Sequence, residues 1–149
     1  MESLSQTINQ DIKKAMLARD AVRLNTLRML KSAIGYAAIE AKKDELSDPE
    51  VTTVIRKEAK KRKDAHEQFI KGDRPEQAAL EQQELEILET YLPAPFSEEE
   101  LKAAVEAAIA ELGASSKREM GQVIKAVQAA SAGRADGKAV SQLVGKLLP

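Results

Sequence analysis

Apolar residues recur along this chain at three- and four-residue intervals. Leu4, Ile8, Ile12 and Ala15 fall on one helical face, and Leu24, Leu27, Ile34 and Ala38 on the next. Val51, Ile55 and Phe69 mark a third stripe, and Leu85, Leu88 and Leu92 a fourth. Such spacing stacks side chains on one side of a helix and leaves the opposite side to water. The ends of the stripes are punctuated. Ser3 with Gln6, Ser47 with Glu50, Asp73 with Glu76, Ser97 with Glu100 and Ser116 with Glu119 all have capping-box spacing. Asp20 and Asp136 are expected as simple caps, and Gly72, Gly113 and Gly133 as left-handed helix ends. These signals predict seven helices, over residues 3–18, 20–44, 48–71, 74–91, 97–112, 116–131 and 137–147.

Pro93 and Pro95 disfavour helical geometry in the residues before them, so a break is expected within Leu92–Phe96. The predicted fold is all-α, without β-sheet. An N-terminal bundle of long helices covers 1–92, and a three-helix C-terminal subdomain covers 97–149.

Composition narrows the chemistry. Tyr36, Phe69, Tyr91 and Phe96 are the only aromatic residues, so the core is built from aliphatic side chains. The absence of cysteine excludes disulfides, thiolate metal sites and thiol catalysis. No apolar run approaches about 18 residues, so no membrane association is expected. The opening MESLSQTINQ lacks the basic-then-apolar layout of a signal peptide. With the missing cysteines, this points to a cytoplasmic protein.

Net charge is −1, so bulk electrostatics favour no polyanion. The charges are nevertheless segregated. From Glu76 to Glu100 there are eight acids and no base, and from Arg56 to Lys63 six bases and one acid. Helices three and four pairing through complementary faces would account for both runs. Alternatively the bases form a ridge for phosphates, and the acidic 76–100 segment is a surface for a protein partner. From Ala114 onward, Lys117, Arg118, Lys125, Arg134, Lys138 and Lys146 face only Glu119 and Asp136, a net charge of +4. Lys117 and Arg118 fall in a first helical turn, where cations oppose the helix dipole and an anionic partner would relieve the cost.

Single residues add little catalytic promise. Arg62 lies on the apolar stripe of the third helix and requires carboxylate partners, as a structural ion pair or a substrate clamp. His66 is the only histidine, which excludes a multi-histidine metal site. Ser115-Ser116-Lys117 resembles the serine and lysine of amidases, but it stands at a helix start without the glycine-rich surroundings of such a nucleophile. No phosphate-binding glycine loop is present: Gly133-Arg134-Ala135-Asp136-Gly137 joins two helices. No catalytic residue, metal or cofactor is therefore expected. Gly121 is more informative. It sits inside a predicted helix, on the flank beside Arg118 and Lys125, where a missing side chain admits another backbone. That backbone is either a neighbouring helix or a nucleic-acid strand.

Glu119-Met120-Gly121-Gln122-Val123-Ile124, Gly133-Arg134-Ala135-Asp136-Gly137-Lys138 and Leu143-Val144-Gly145-Lys146-Leu147-Leu148 resemble the tail domain of the B subunit of glutamine-dependent tRNA amidotransferase. Leu27-Arg28-Met29-Leu30-Lys31, Glu86-Ile87-Leu88-Glu89-Thr90-Tyr91-Leu92-Pro93 and Ser97-Glu98-Glu99-Glu100-Leu101 resemble the free-standing YqeY family. The resemblance implies a helical bundle followed by a smaller helical subdomain that contacts tRNA, with Met120, Gly121, Gly133, Asp136 and Gly137 at matching motif positions. Lys117, Arg118, Lys125, Arg134 and Lys138 join that site on the charge argument. The leading expectation is thus a non-catalytic adaptor for tRNA or another structured RNA. The resemblance also implies carbon–nitrogen ligase chemistry with glutamine as amide donor, exercised inside a larger complex, because the catalytic cradle of the parent subunit has no counterpart here. A protein-interaction module using residues 76–100 is the third expectation.

Overall fold

The fold comes from a computed structural model that describes residues 2–131 and 134–149. The described residues form seven α-helices and no strand: α1 (Leu4–Ala18), α2 (Ala21–Glu40), α3 (Asp48–Lys71), α4 (Pro75–Glu89), α5 (Glu98–Leu112), α6 (Met120–Ser131) and α7 (Gly137–Leu147). A single 3-10 turn, Lys117–Glu119, precedes α6. The all-α expectation holds, and no helix passes Pro93 and Pro95.

Caps explain most of the boundaries. Ser3, Ser47 and Ser97 each form a reciprocal capping box with Gln6, Glu50 and Glu100. Asp20 and Asp136 cap α2 and α7 by accepting from Arg23 and Ala139 N–H groups. Three expected signals are used differently. Asp73 takes a left-handed φ of +56° while Gly72 stays at −84°, so α4 starts from Arg74 without a side-chain cap. Pro75, whose ring fixes φ near the helical value, starts α4 instead. Ser116 caps nothing, because the 3-10 turn displaces the start of α6 and Glu119 accepts from Ser115 N–H instead. α2 stops at Glu40, short of residue 44. Lys42 N–H returns to Ile39 O and Lys43 N–H to Ala38 O, closing a Schellman motif with Lys42 at φ +57°. Gly113 ends α5 in the left-handed conformation as expected, and Gly133 lies outside the described residues.

The chain divides into two units, ending and starting at Leu92 and Pro93. The first is built on Ile8, Leu30, Val51, Ile55 and Leu88, all essentially inaccessible to water. Tyr91 O–H donates to Asp11 Oδ2 at 2.6 Å across 80 residues, tying the end of the unit to α1. Burial and the Asp11 carboxylate raise the Tyr91 pKa, so the phenol stays protonated as a donor. α3 and α4 pair through Arg62, whose guanidinium lies 3.0 Å from Glu84 and 3.8 Å from Glu81. This is the structural ion pair that its place on the stripe demanded. The second unit is built on Val105, Val123, Val127, Val140, Val144 and Leu148.

Candidate nucleic-acid interface

In the second unit, α6 and α7 pack antiparallel on glycine. A β-carbon placed at Gly145 would stand 3.7 Å from Met120 Cε, and one at Gly137 would stand 3.6 Å from Gln128 Nε2. The start of α7 therefore lies beside the end of α6, and the end of α7 beside the start of α6. The backbone bond from Lys117 N–H to Pro149 O, 3.2 Å long, closes the same end.

This register fixes which way the other side chains point. Met120, Ile124 and Gln128 form the row of α6 that meets α7, because residues four apart share a face. Gly121 and Lys125 lie on the adjacent, outward row and are exposed. On α7, Lys138 is exposed next to Gly137, and Lys146 is exposed next to Gly145. Exposed cations, Lys125 on α6 and Lys138 and Lys146 on α7, accompany the glycines of this helix pair. Among the described residues, nothing beyond the helix's own backbone comes within 4 Å of the position a Gly121 side chain would take. Of the two backbones that could approach Gly121, no neighbouring helix does so.

The expected site residues divide into two groups. Lys117, Arg118, Lys125 and Lys138 are exposed and have no ion-pair partner among the described residues. Met120, Asp136 and Gly137 are structural: Met120 packs in the core, Asp136 caps α7, and Gly137 admits Gln128. Arg134 is also occupied. Its Nε donates to Ala94 O at 2.8 Å, its guanidinium stacks 4.7 Å from the Phe96 ring centroid, and it lies 3.7 Å from a Glu100 oxygen. Its own carbonyl accepts from Phe96 N–H. The charge count assigned Arg134 to the RNA surface, whereas its side chain is spent on the 94–100 segment. Gly133 is outside the described residues. Lys146 and Gly145 enter the seam without having been singled out. Their signal was the eight-residue interval between Gly137 and Gly145, two turns on one face.

The competing sites are weaker. His66 Nδ1 bonds the Ala78 carbonyl at 2.8 Å, a structural link between α3 and α4. Ser116 has no histidine or second base in contact with it, and no cluster of three or more metal-ligating side chains occurs among the described residues. The acidic 76–100 run is split between the two units, and Glu81, Glu84 and Glu100 are already engaged within their own unit. Among the described residues, no helix is long and apolar enough to cross a membrane.

Comparison with known proteins adds identity but no ligand. Residues 5–148 match a family model described as Yqey-like protein. A protein of Lachancea thermotolerans named altered inheritance of mitochondria protein 41, mitochondrial, is 36% identical over 107 residues, covering 70% of this chain and 57% of that one. The protein of the same name from Kluyveromyces lactis is 37% identical over 100 residues, 66% of this chain and 54% of its own. An uncharacterized protein of Schizosaccharomyces pombe is 33% identical over 91 residues, 61% of this chain and 73% of its own. The chain spans about half the length of the mitochondrial relatives it matches. Their names overturn the cytoplasmic expectation, which rested only on composition and the first ten residues.

Proposed function

The chain belongs to the Yqey-like protein family, and from that premise we propose that it is a non-catalytic RNA-binding adaptor that holds tRNA or a similarly structured RNA along the α6–α7 seam. One observation carries this reading: the space over Gly121 is open, and the same unit exposes cations that have no ion-pair partner among the described residues. A helix surface lacking side chains at its centre lets a sugar–phosphate strand approach, and Lys117, Arg118, Lys125, Lys138 and Lys146 then meet its charge. Phe96, the one aromatic residue of the second unit, is covered by Arg134 and offers no stacking platform on this seam. The recognition is therefore of phosphates and shape rather than of bases. The relatives' names speak of mitochondrial inheritance and not of RNA, so the reading rests on the geometry.

Titration of the purified protein with bulk tRNA tests it. Each neutralised phosphate releases counterions, so about three to five contacts predict a roughly tenfold to few-hundredfold loss of affinity between 50 and 200 mM salt. Arg118→Glu with Lys125→Glu should abolish binding and leave the circular dichroism spectrum unchanged, because both side chains are exposed. Parental affinity in that double variant sinks the proposal. An accessory role in amide transfer requires a larger complex, and amidation of a misacylated tRNA by the isolated chain is not expected.

A further inference from the structure

The C-terminal part of α2 leaves large apolar side chains in water. Tyr36 and Ile39 are 74% and 73% exposed. Between Lys31 and Ile39, one turn from each, stands Gly35, about three quarters of the way along a 20-residue helix. Glycine is the poorest helix former after proline. Among the described residues, nothing beyond the helix's own backbone lies within 4 Å of where its side chain would be. The space forms a groove of about 180 Å³ walled by Ile8, Ile34, Ala38 and Leu46. Lys31 lines it on one side, and Asp44 and Glu45 on another. None of these three charges has an ion-pair partner among the described residues, whereas the nearby Lys43 is held by Glu50 at 2.9 Å.

A charge, a hole and a projecting apolar side chain thus follow one another along a single helical row, with the opposite charge beyond them. Such a row is complementary to itself when turned end for end. We infer that this face docks a second copy of the chain, α2 against α2 about a two-fold axis, with Ile39 of each protomer seated over Gly35 of its partner. α2 ends at Glu40, so in an antiparallel pair that sets residue 35 opposite 39 the Lys31 of each protomer passes the end of its partner's helix, where the loop carrying Asp44 and Glu45 follows. Lys31 then faces the partner's carboxylates at both ends of the contact. A two-fold interface uses the same patch twice, which is the arrangement this surface offers. A single pair of helices is a small contact beside the ~1,200–2,000 Å² of a stable complex, so the dimer should be weak.

Sedimentation equilibrium on the full chain from micromolar to about millimolar concentration reads this directly. The parent should dimerise. Gly35→Leu should be monomeric at every concentration, with a melting temperature equal to or above the parent's, because the groove has room and leucine favours helix. Ile39→Glu, on a side chain already in water, should also be monomeric. A charge exchange provides the sharpest arm. Lys31→Glu alone, and Asp44→Lys with Glu45→Lys alone, each place like charges opposite one another twice and should associate at least tenfold more weakly. Mixed together, they restore both pairs and should form a heterodimer with near-parental affinity. A parent that stays monomeric throughout, a Gly35→Leu variant that dimerises normally, or a mixture that fails to associate would each overturn the inference. The RNA titration is independent of all three, because the seam belongs to the second unit.

Discussion

Replacing Arg62 by Leu should cost the first unit about 2–4 kcal/mol at pH 7.5. Glu81 and Glu84 keep only 17% and 14% of their side-chain area in water, and the Arg62 guanidinium is their shared counter-charge. At 4 Å and an effective dielectric of 20, one such attraction is worth about 4 kcal/mol. Two are lost, but releasing a held Arg returns up to ~2 kcal/mol of side-chain entropy. The carboxylates, near the edge of the unit, also regain some hydration, which brings the net loss to the low end of the range for a broken buried pair. The loss should depend on pH in a defined direction. Burial, opposed by Arg62 and reinforced by Glu81, already raises the Glu84 pKa above the ordinary carboxylate value. A raised folded pKa means that protonation favours the folded state, and that stability is lost as pH rises through it. Without Arg62 the rise is larger, so the deficit should be greatest above pH 7 and should shrink toward pH 4.5. Both tyrosines, Tyr36 and Tyr91, lie in the first unit, and the chain has no tryptophan. Tyrosine fluorescence in a urea titration therefore reports that unit alone. A deficit below 0.5 kcal/mol, or one equal at both pH values, refutes this account of the pair.

Three further outcomes follow from the same geometry. Arg134→Ala should destabilise the second unit by about 2 kcal/mol, from a charged hydrogen bond and a cation–π contact, read as faster amide exchange in α5–α7. Gly121→Gln should raise the melting temperature slightly, by helix propensity, while weakening tRNA binding; an unchanged affinity would show that the open seam is unused. The Glu50 carboxyl, held down to about 2 chiefly by the Lys43 ammonium and then by Ser47, should move toward its ordinary value in Lys43→Ala, as followed by carboxyl NMR. Because its folded pKa is depressed, the stabilisation it provides is present above pH 4.5 and fades as pH falls toward 2.

The elements were legible because their signals are local. A serine three residues ahead of an acid caps a helix from its own side chain and backbone, so Ser3, Ser47 and Ser97 needed nothing else from the fold. Where two local signals compete, the sequence does not say which prevails. Asp73 had capping spacing with Glu76, yet α4 starts at the neighbouring Pro75 with no side-chain cap. Gly72 was free to be left-handed, and Asp73 adopted that conformation instead. Site residues were harder to read because a charge count is blind to pairing. Arg134 and Lys125 look alike in the sequence, and only the fold brings Ala94, Phe96 and Glu100 up to one of them. Gly121 and Gly35 show the same limit: a glycine inside a helix signals close approach, but only the structure tells whether the approaching group belongs to the protein.

The bonds between Arg134 and residues 94–100 also change what the proline-rich stretch is. Two prolines between helical regions suggest a tether whose length and composition are free to vary. Here Ala94 and Phe96 exchange bonds with the loop between α6 and α7, so the stretch is stitched into the far side of the unit that follows it. A graft of this unit onto another protein that began at Ser97 would leave the Arg134 guanidinium without its carbonyl and its ring. The transferable piece starts at Pro93.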